Sequence, residues 1–303
     1  SNYFVGDDFT WLRWAADCKK MLIETGLKQC GSILPTITHF FTNSEGFFYR
    51  PGTKAYFYLA FPIFELFPTL FHVVSLLLHI SASILVLFLV KKFLKSLTLG
   101  FIAALFFLVL SVHGEAIYWI SVTGHLIASN LILLAFLSYV YWRESKRAFL
   151  FIISLLAVFF SMFFHEFGTT GPLLLISYDL LYDWRTLIRN PLKKWYYLLL
   201  LSPIAIYYFM RLSANSVWFQ GDYSYNLVKL PFNFMGNAFG YLLMSVVGPF
   251  ILEPYTSLRV MAAQNLTLSG FLAFFVIMVM VTGIIINRRK IKAEPIKIIL
   301  LSV

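Results

Sequence analysis

Between positions 68 and 210 the chain is a succession of apolar segments, each stopped by a charge or a proline, and this pattern limits the fold more than any other feature. About 20 apolar residues cross a bilayer as a helix, and inside hydrocarbon every backbone polar group must bond within the chain. The segments 68–90, 97–112, 118–142, 148–164, 170–182, 195–210 and 268–287 read as spans. With 60% hydrophobic and only 13% charged residues, the composition lies outside that of a soluble domain. An all-α polytopic membrane protein with about seven crossings is the expectation. Ser1 follows no initiator Met or signal segment, and residues 298–303 read as the opening of another span. The chain is accordingly taken as a piece of a longer membrane domain, with at least one span before it.

Charge orients the spans. The formal net charge is +10, but 15 of the 24 basic residues fall in four clusters, each after an apolar segment. They are Lys91, Lys92 and Lys95; Arg143, Lys146 and Arg147; Arg185, Arg189, Lys193 and Lys194; and Arg288, Arg289, Lys290, Lys292 and Lys297. Cytoplasmic loops carry such an excess. Together with Glu144, Asp179, Asp183 and Glu294 the inner side carries +11, and the remaining 9 basic and 10 acidic residues leave the outer side at −1. The basicity therefore sets orientation and excludes a nucleic-acid partner.

The same rule settles the parity of the C-terminal half. One crossing at 232–252 would leave Arg288, Arg289, Lys290 and Lys292 outside, so residues 211–267 are placed wholly outside. Gly236, Gly240, Gly248 and Pro249 make 232–252 a re-entrant or interfacial helix. The resulting layout is an extracytoplasmic first loop (1–68), a transmembrane core (69–210), the outer loop (211–267) and truncated C-terminal spans (268–303). In the first loop, Trp11, Trp14 or Ala15, Cys18 and Leu22 recur at helical spacing after Asp8, which is a suitable N-cap. Cys18 and Cys30 share the outer side, where a disulfide is sterically open.

With this topology the unusual polar residues gather on one face. Asp7, Asp8, Arg50, His72, His113, Glu115, His165, Glu166 and Arg211 all fall near outer span ends. Channels and carriers place ionisable groups near the bilayer midplane, where only His79 and Asp179 are candidates. A reaction site above the membrane fits the distribution better. Each residue also has a plainer role: Asp8 as cap, Arg50 and Arg211 as interfacial anchors, His79 as packing. No zinc-ligand spacing occurs, and a divalent cation is left open.

The order Gly6-Asp7-Asp8, Tyr49-Arg50-Pro51, Phe71-His72 with Leu77-Leu78-His79, His113-Gly114-Glu115-Ala116, and His165-Glu166 before Pro172-Leu173-Leu174 and Tyr178-Asp179 resembles GT-C glycosyltransferases. It is most similar to the protein O-mannosyltransferase group and its tetratricopeptide-bearing (TMTC) relatives, over about residues 5–183. The resemblance implies transfer of a sugar from a polyprenyl-phosphate carrier to an extracytoplasmic acceptor (protein hydroxyl, lipid or glycan), with inversion. Asp7 or Asp8 is then the general base. Ser75 stands where an asparagine is expected, only His113 remains of an HxxH pair, and His125 replaces an acidic residue. His165-Glu166 replaces Lys-Glu.

Chemistry independent of the resemblance points the same way. A carboxylate suits deprotonation of an acceptor hydroxyl, and Arg50, Arg211 and the histidines suit a departing phosphate. The partners expected are the polyprenyl-phosphate sugar, membrane lipid and an acceptor of open identity. A transporter or lipid flippase, dependent on His79 and Asp179, is the competing class, and a non-catalytic scaffold is the third.

Overall fold

A computed structural model describes residues 3–13, 15–16, 33–44, 48–110, 113–189, 195–216 and 230–264, and all regular structure among them is helical. Helix α1 covers residues 8–13 and 15–16. There follow α2 (Ile33–Thr42), α3 (Pro51–Phe64), α4 (Pro68–Leu94), α5 (Leu97–Val109), α6 (Gly114–Tyr118), α7 (Thr123–Ser145), α8 (Ala148–Phe164), α9 (Gly171–Arg189), α10 (Tyr196–Ser213), α11 (Leu230–Val247) and α12 (Leu252–Gln264). Single 3-10 turns at Ile120–Val122, Glu166–Thr170 and Pro249–Ile251 lead into α7, α9 and α12. The chain forms two compact units, one from Ser1–Val109 with His113–Trp218, the other from Leu110–Val112 with Phe219–Val303.

Among the described residues, three helical segments are long and apolar enough to cross a membrane: Pro68–Leu94, Ile120–Ser145 and Tyr196–Ser213. That is fewer than the seven expected. Helix α5 has 13 residues and α8 has 17, about 20 and 25 Å at 1.5 Å per residue, against a hydrocarbon core of about 30 Å. Helix α9 is long enough at 19 residues but carries Asp179, Asp183, Arg185 and Arg189. The segment 268–287, like Cys18 and Cys30, lies outside the described residues.

The packing of this unit is inverted relative to a soluble bundle. Leu76, Leu77, Ile80 and Ile84 of α4 and Phe101, Ile102, Leu105 and Phe106 of α5 are exposed, whereas Ser75, Ser83, Ser138, Ser154 and Ser161 are buried. Where lipid matches the apolar side chains, small residues at helix contacts supply close packing instead. Two of the hydroxyls bond within their own helix, Ser83 Oγ donating to His79 O and Ser161 Oγ to Val158 O, while Ser75 Oγ meets Thr123 Oγ1 across helices. Asn130 Nδ2 reaches from α7 to Leu78 O of α4 at 2.9 Å.

The two ends of the bundle are chemically distinct. Helices α4 and α7 finish beside each other, where Lys92 pairs with Glu144 and the left-handed caps Lys95 and Lys146 (φ 54° and 58°) stop them. Three of the basic residues read as cytoplasmic thus sit together in space. The starts of α3, α4 and α7 and the ends of α8 and α10 form the other end. There α1 packs Leu12 into a cluster with Phe57, Phe71 and Ile120, and Trp11 stacks on Phe57.

In the second unit α11 breaks at Gly248 (φ 106°) and the chain returns as α12. The Tyr255 hydroxyl bonds Gly236 O, and Arg259 Nη1 donates to Asn237 Oδ1. Of the residues that suggested an interrupted helix at 232–252, Gly248 and Pro249 are where the interruption falls, whereas Gly236 and Gly240 lie within α11, against Arg259 and Tyr255.

Candidate functional site

The site is assembled where the start of α3, the start of α7 and the end of α8 meet at backbone distance. A Cβ on Gly124 would lie 2.5 Å from Thr53 Oγ1 and 2.9 Å from Phe164 O, so glycine alone permits this approach. Thr53 Oγ1 donates to Phe164 O at 2.8 Å, using a carbonyl that the end of α8 leaves open. Pro51 at the first position of α3 needs no amide partner and sets the chain direction at Arg50.

Four side chains converge on this corner. Arg50 Nε donates to Glu166 Oε2 at 2.8 Å, a charge-assisted bond across 116 positions of sequence. The rings of His125, one turn into α7, and His165, at the end of α8, lie 3.6 Å apart between centroids. His165 Nδ1 accepts the Phe167 amide at 3.2 Å, which puts the ring proton on Nε2, 3.6 Å from Glu166 Oε2 and too far for a hydrogen bond. Burial, then the Arg50 guanidinium, then His125 hold His165 neutral, its pKa pushed down to about 2. Among the described residues, the Arg50 guanidinium donates no other hydrogen bond, and Glu166 Oε1 is shielded from water without a partner.

Arg211 comes close to this corner through tyrosines. It is only 8% exposed, inside the end of α10 and hydrogen-bonded to Tyr207. The Tyr207 hydroxyl donates to Tyr49 O at 3.2 Å, the residue before Arg50, and the charge of Glu166 also reaches Tyr207. The Tyr49 hydroxyl in turn donates to Phe41 O, and burial raises its pKa to about 12. The outer, anchor-like arginine of the sequence reading is thus a buried one.

The two aspartates occupy different environments. Asp7 is exposed at a turn opened by Gly6 (φ 52°). Asp8 is 0% exposed, and its carboxylate does not cap α1 as the sequence led us to expect. It reaches back to the Val5 amide (2.9 Å to Oδ2) and across to Ser121, whose amide and hydroxyl both donate to Oδ1 at 2.6 Å. Both oxygens are therefore engaged in holding the N-terminal segment on the turn that precedes α7. This departs from Asp8 as a base, because a base needs an oxygen open to substrate.

The remaining candidates lie apart from the Arg50 group in every contact among the described residues. His113, at the start of α6, packs on Phe107 (4.3 Å) and beside His79 (5.2 Å); burial and His79 lower its pKa. Glu115 is exposed on α6. His72 is half-buried, and both its ring nitrogens are shielded with no partner among the described residues, as is His113 Nε2. His79 is 2% exposed, with Nε2 3.1 Å from Leu108 O, the satisfied packing histidine expected. Among the described residues no group of three His, Cys, Asp or Glu side chains is placed to hold a metal ion.

Sequence reasoning missed Ser121, Thr53, Gly124 and Tyr207. Only Thr53 carried a signal, being contiguous with Tyr49-Arg50-Pro51-Gly52. The others owe their roles to contacts across 40 to 158 positions. Against protein-family models, curated proteins and solved structures, the chain has no match.

Proposed function

We propose that this chain is the membrane domain of a glycosyltransferase that takes a sugar from a polyprenyl-phosphate carrier at the end of the bundle where α3, α4 and α7 begin. The observation that carries the reading is the Arg50–Glu166 corner: an arginine with amino groups to spare, a carboxylate with one oxygen to spare, and two adjoining imidazoles, beside an apolar belt. The guanidinium suits a phosphate and the open carboxylate oxygen suits a sugar hydroxyl. The full set of seven crossings, the re-entrant placement of 232–252 and the extracytoplasmic face of the site belong to this proposal.

The reaction then divides among the residues as follows. Asp7, exposed beside the clamped Asp8, takes the proton of the acceptor hydroxyl. The acceptor oxygen bonds to the anomeric carbon as the bond from that carbon to the phosphate oxygen breaks, with inversion. The electron pair leaves with the polyprenyl phosphate, whose charge Arg50 and Arg211 stabilise. A carrier would instead use His79 and Asp179, but His79 is committed to Leu108 O and Asp179 to three tyrosines and an arginine.

The test is transfer from polyprenyl-phosphate sugars in membrane extracts, read by mass spectrometry of consumed donor and product. Asp7→Asn is expected to lose about 10²–10⁴-fold in rate, and Arg50→Lys to weaken donor use, because lysine cannot reproduce a planar fork. Full transfer by both Asp7→Asn and Asp8→Asn at normal expression overturns the proposal.

A further inference from the structure

The opposite end of the bundle holds a second buried ionic cluster that the transfer chemistry does not use. Asp179 of α9 is 1% exposed. Its Oδ2 accepts the hydroxyls of Tyr139 (3.0 Å), Tyr196 (2.6 Å) and Tyr197 (2.9 Å), and Arg143 Nε lies 2.7 Å from Oδ1. Tyr139 and Arg143 come from α7 and the other two tyrosines from α10, so one carboxylate joins three helices.

Net stability does not explain such a cage. Replacing a buried ion pair by apolar side chains of similar volume is often neutral or stabilising, so a cage of three hydroxyl donors and a guanidinium is better suited to selecting one arrangement. A leucine at 179 would pack in several rotations of α9, whereas donors from two flanking helices accept one rotation and one height. Helix α9 can pass that constraint on. Gly171 begins it in right-handed helical geometry (φ −54°, ψ −52°) directly after the 3-10 turn Glu166–Thr170, with no loop between. The first residue of that turn is the partner of Arg50.

We propose that Asp179 is a positioning residue: its cage sets the height and rotation of α9 and thereby holds Glu166 on Arg50 at the far end. The consequence for catalysis rests on the function proposed above; the mechanical coupling does not. The test is a double-mutant cycle on the full-length protein in detergent, using Asp179→Asn, Glu166→Gln and the double variant. Asparagine keeps an acceptor for the tyrosines and removes the charge facing Arg143.

Sites without shared partners at this separation give additive effects. The coupling predicts that the fall in Tm from Glu166→Gln shrinks to less than half in the Asp179→Asn background. Equal falls in both backgrounds overturn the inference, because a role confined to local stability leaves them equal. If Asp179→Asn does not fold, Tyr197→Phe removes one donor and is expected to shrink the fall in the same direction, with equal falls again overturning it. A transfer assay is the second arm: Asp179→Asn is expected to raise the donor KM several-fold at nearly unchanged kcat. A shrunken fall in Tm without any transfer in wild type sustains the coupling and sinks the enzymatic reading, so the two failures are distinguishable.

Discussion

Asp7 and Asp8 are neighbours with opposite expected consequences of the same substitution. In Asp8→Asn the amide oxygen can keep both Ser121 bonds, but its amino group then faces the Val5 amide, donor against donor, at a fully buried position. Stranding a buried donor costs about 1–3 kcal/mol, and losing the charge weakens the two Ser121 bonds by roughly half. Together the cost is about 2–4 kcal/mol, or a fall in Tm of about 5–15 °C for a unit of this size.

Asp7→Asn, at an exposed site, is expected to stay within about 0.5 kcal/mol of wild type while losing transfer. The assay is thermal unfolding in detergent beside the transfer assay, with Ser121→Ala completing a cycle. Coupling between Asp8→Asn and Ser121→Ala should exceed about 0.5 kcal/mol, since the pair is in contact. A Tm for Asp8→Asn within about 2 °C of wild type would refute the clamp and return Asp8 to the list of bases.

Two further outcomes follow from the corner. His165 is held neutral when folded, its pKa down near 2 by burial, Arg50 and His125, against an ordinary 6.5. The unfolded chain therefore binds the extra proton, so stability is full above pH 6.5 and falls as pH drops below it. The fall is up to about 1.4 kcal/mol per pH unit between 6.5 and 5, and His165→Gln should flatten the Tm profile over that range. Gly124→Ala drives a methyl into Thr53 Oγ1 and Phe164 O, and the overpacking is expected to cost about 1–3 kcal/mol. It should also reduce transfer by parting α7 from α3 and α8. Wild-type Tm and rate in that variant would show that the approach is not needed.

Much of the architecture was legible in the chain because it rests on composition and period, which are local. The hydrophobic runs mark out the helices, three of them long and apolar enough among the described residues to cross a membrane. Pairing of Lys92 with Glu144 brings the ends of two such runs, each followed by a basic cluster, side by side. Span lengths were less legible: α5 stops at Val109 and α8 at Phe164, both short of a full crossing. Gly248 marked the break between α11 and α12, since such a break needs a residue that tolerates it, while Gly236 and Gly240 let α12 side chains approach α11.

Which polar residues meet was not legible. Asp7 and Asp8 are indistinguishable as adjacent carboxylates, and only the arrival of Ser121 from 113 positions away makes one a clamp and leaves the other exposed. Arg50, Glu166, His125 and His165 could be named individually from their types and topology, but not grouped apart from His113 and Glu115. That grouping is set by helix-to-helix distance, which depends on small residues such as Gly124 in the contact rather than on the functional residues themselves. Sequence alone determined that this chain makes apolar helices with a polar end; tertiary packing decided which polar groups share a site, because side chains interact over a few ångströms while the helices carrying them are ordered by the whole bundle.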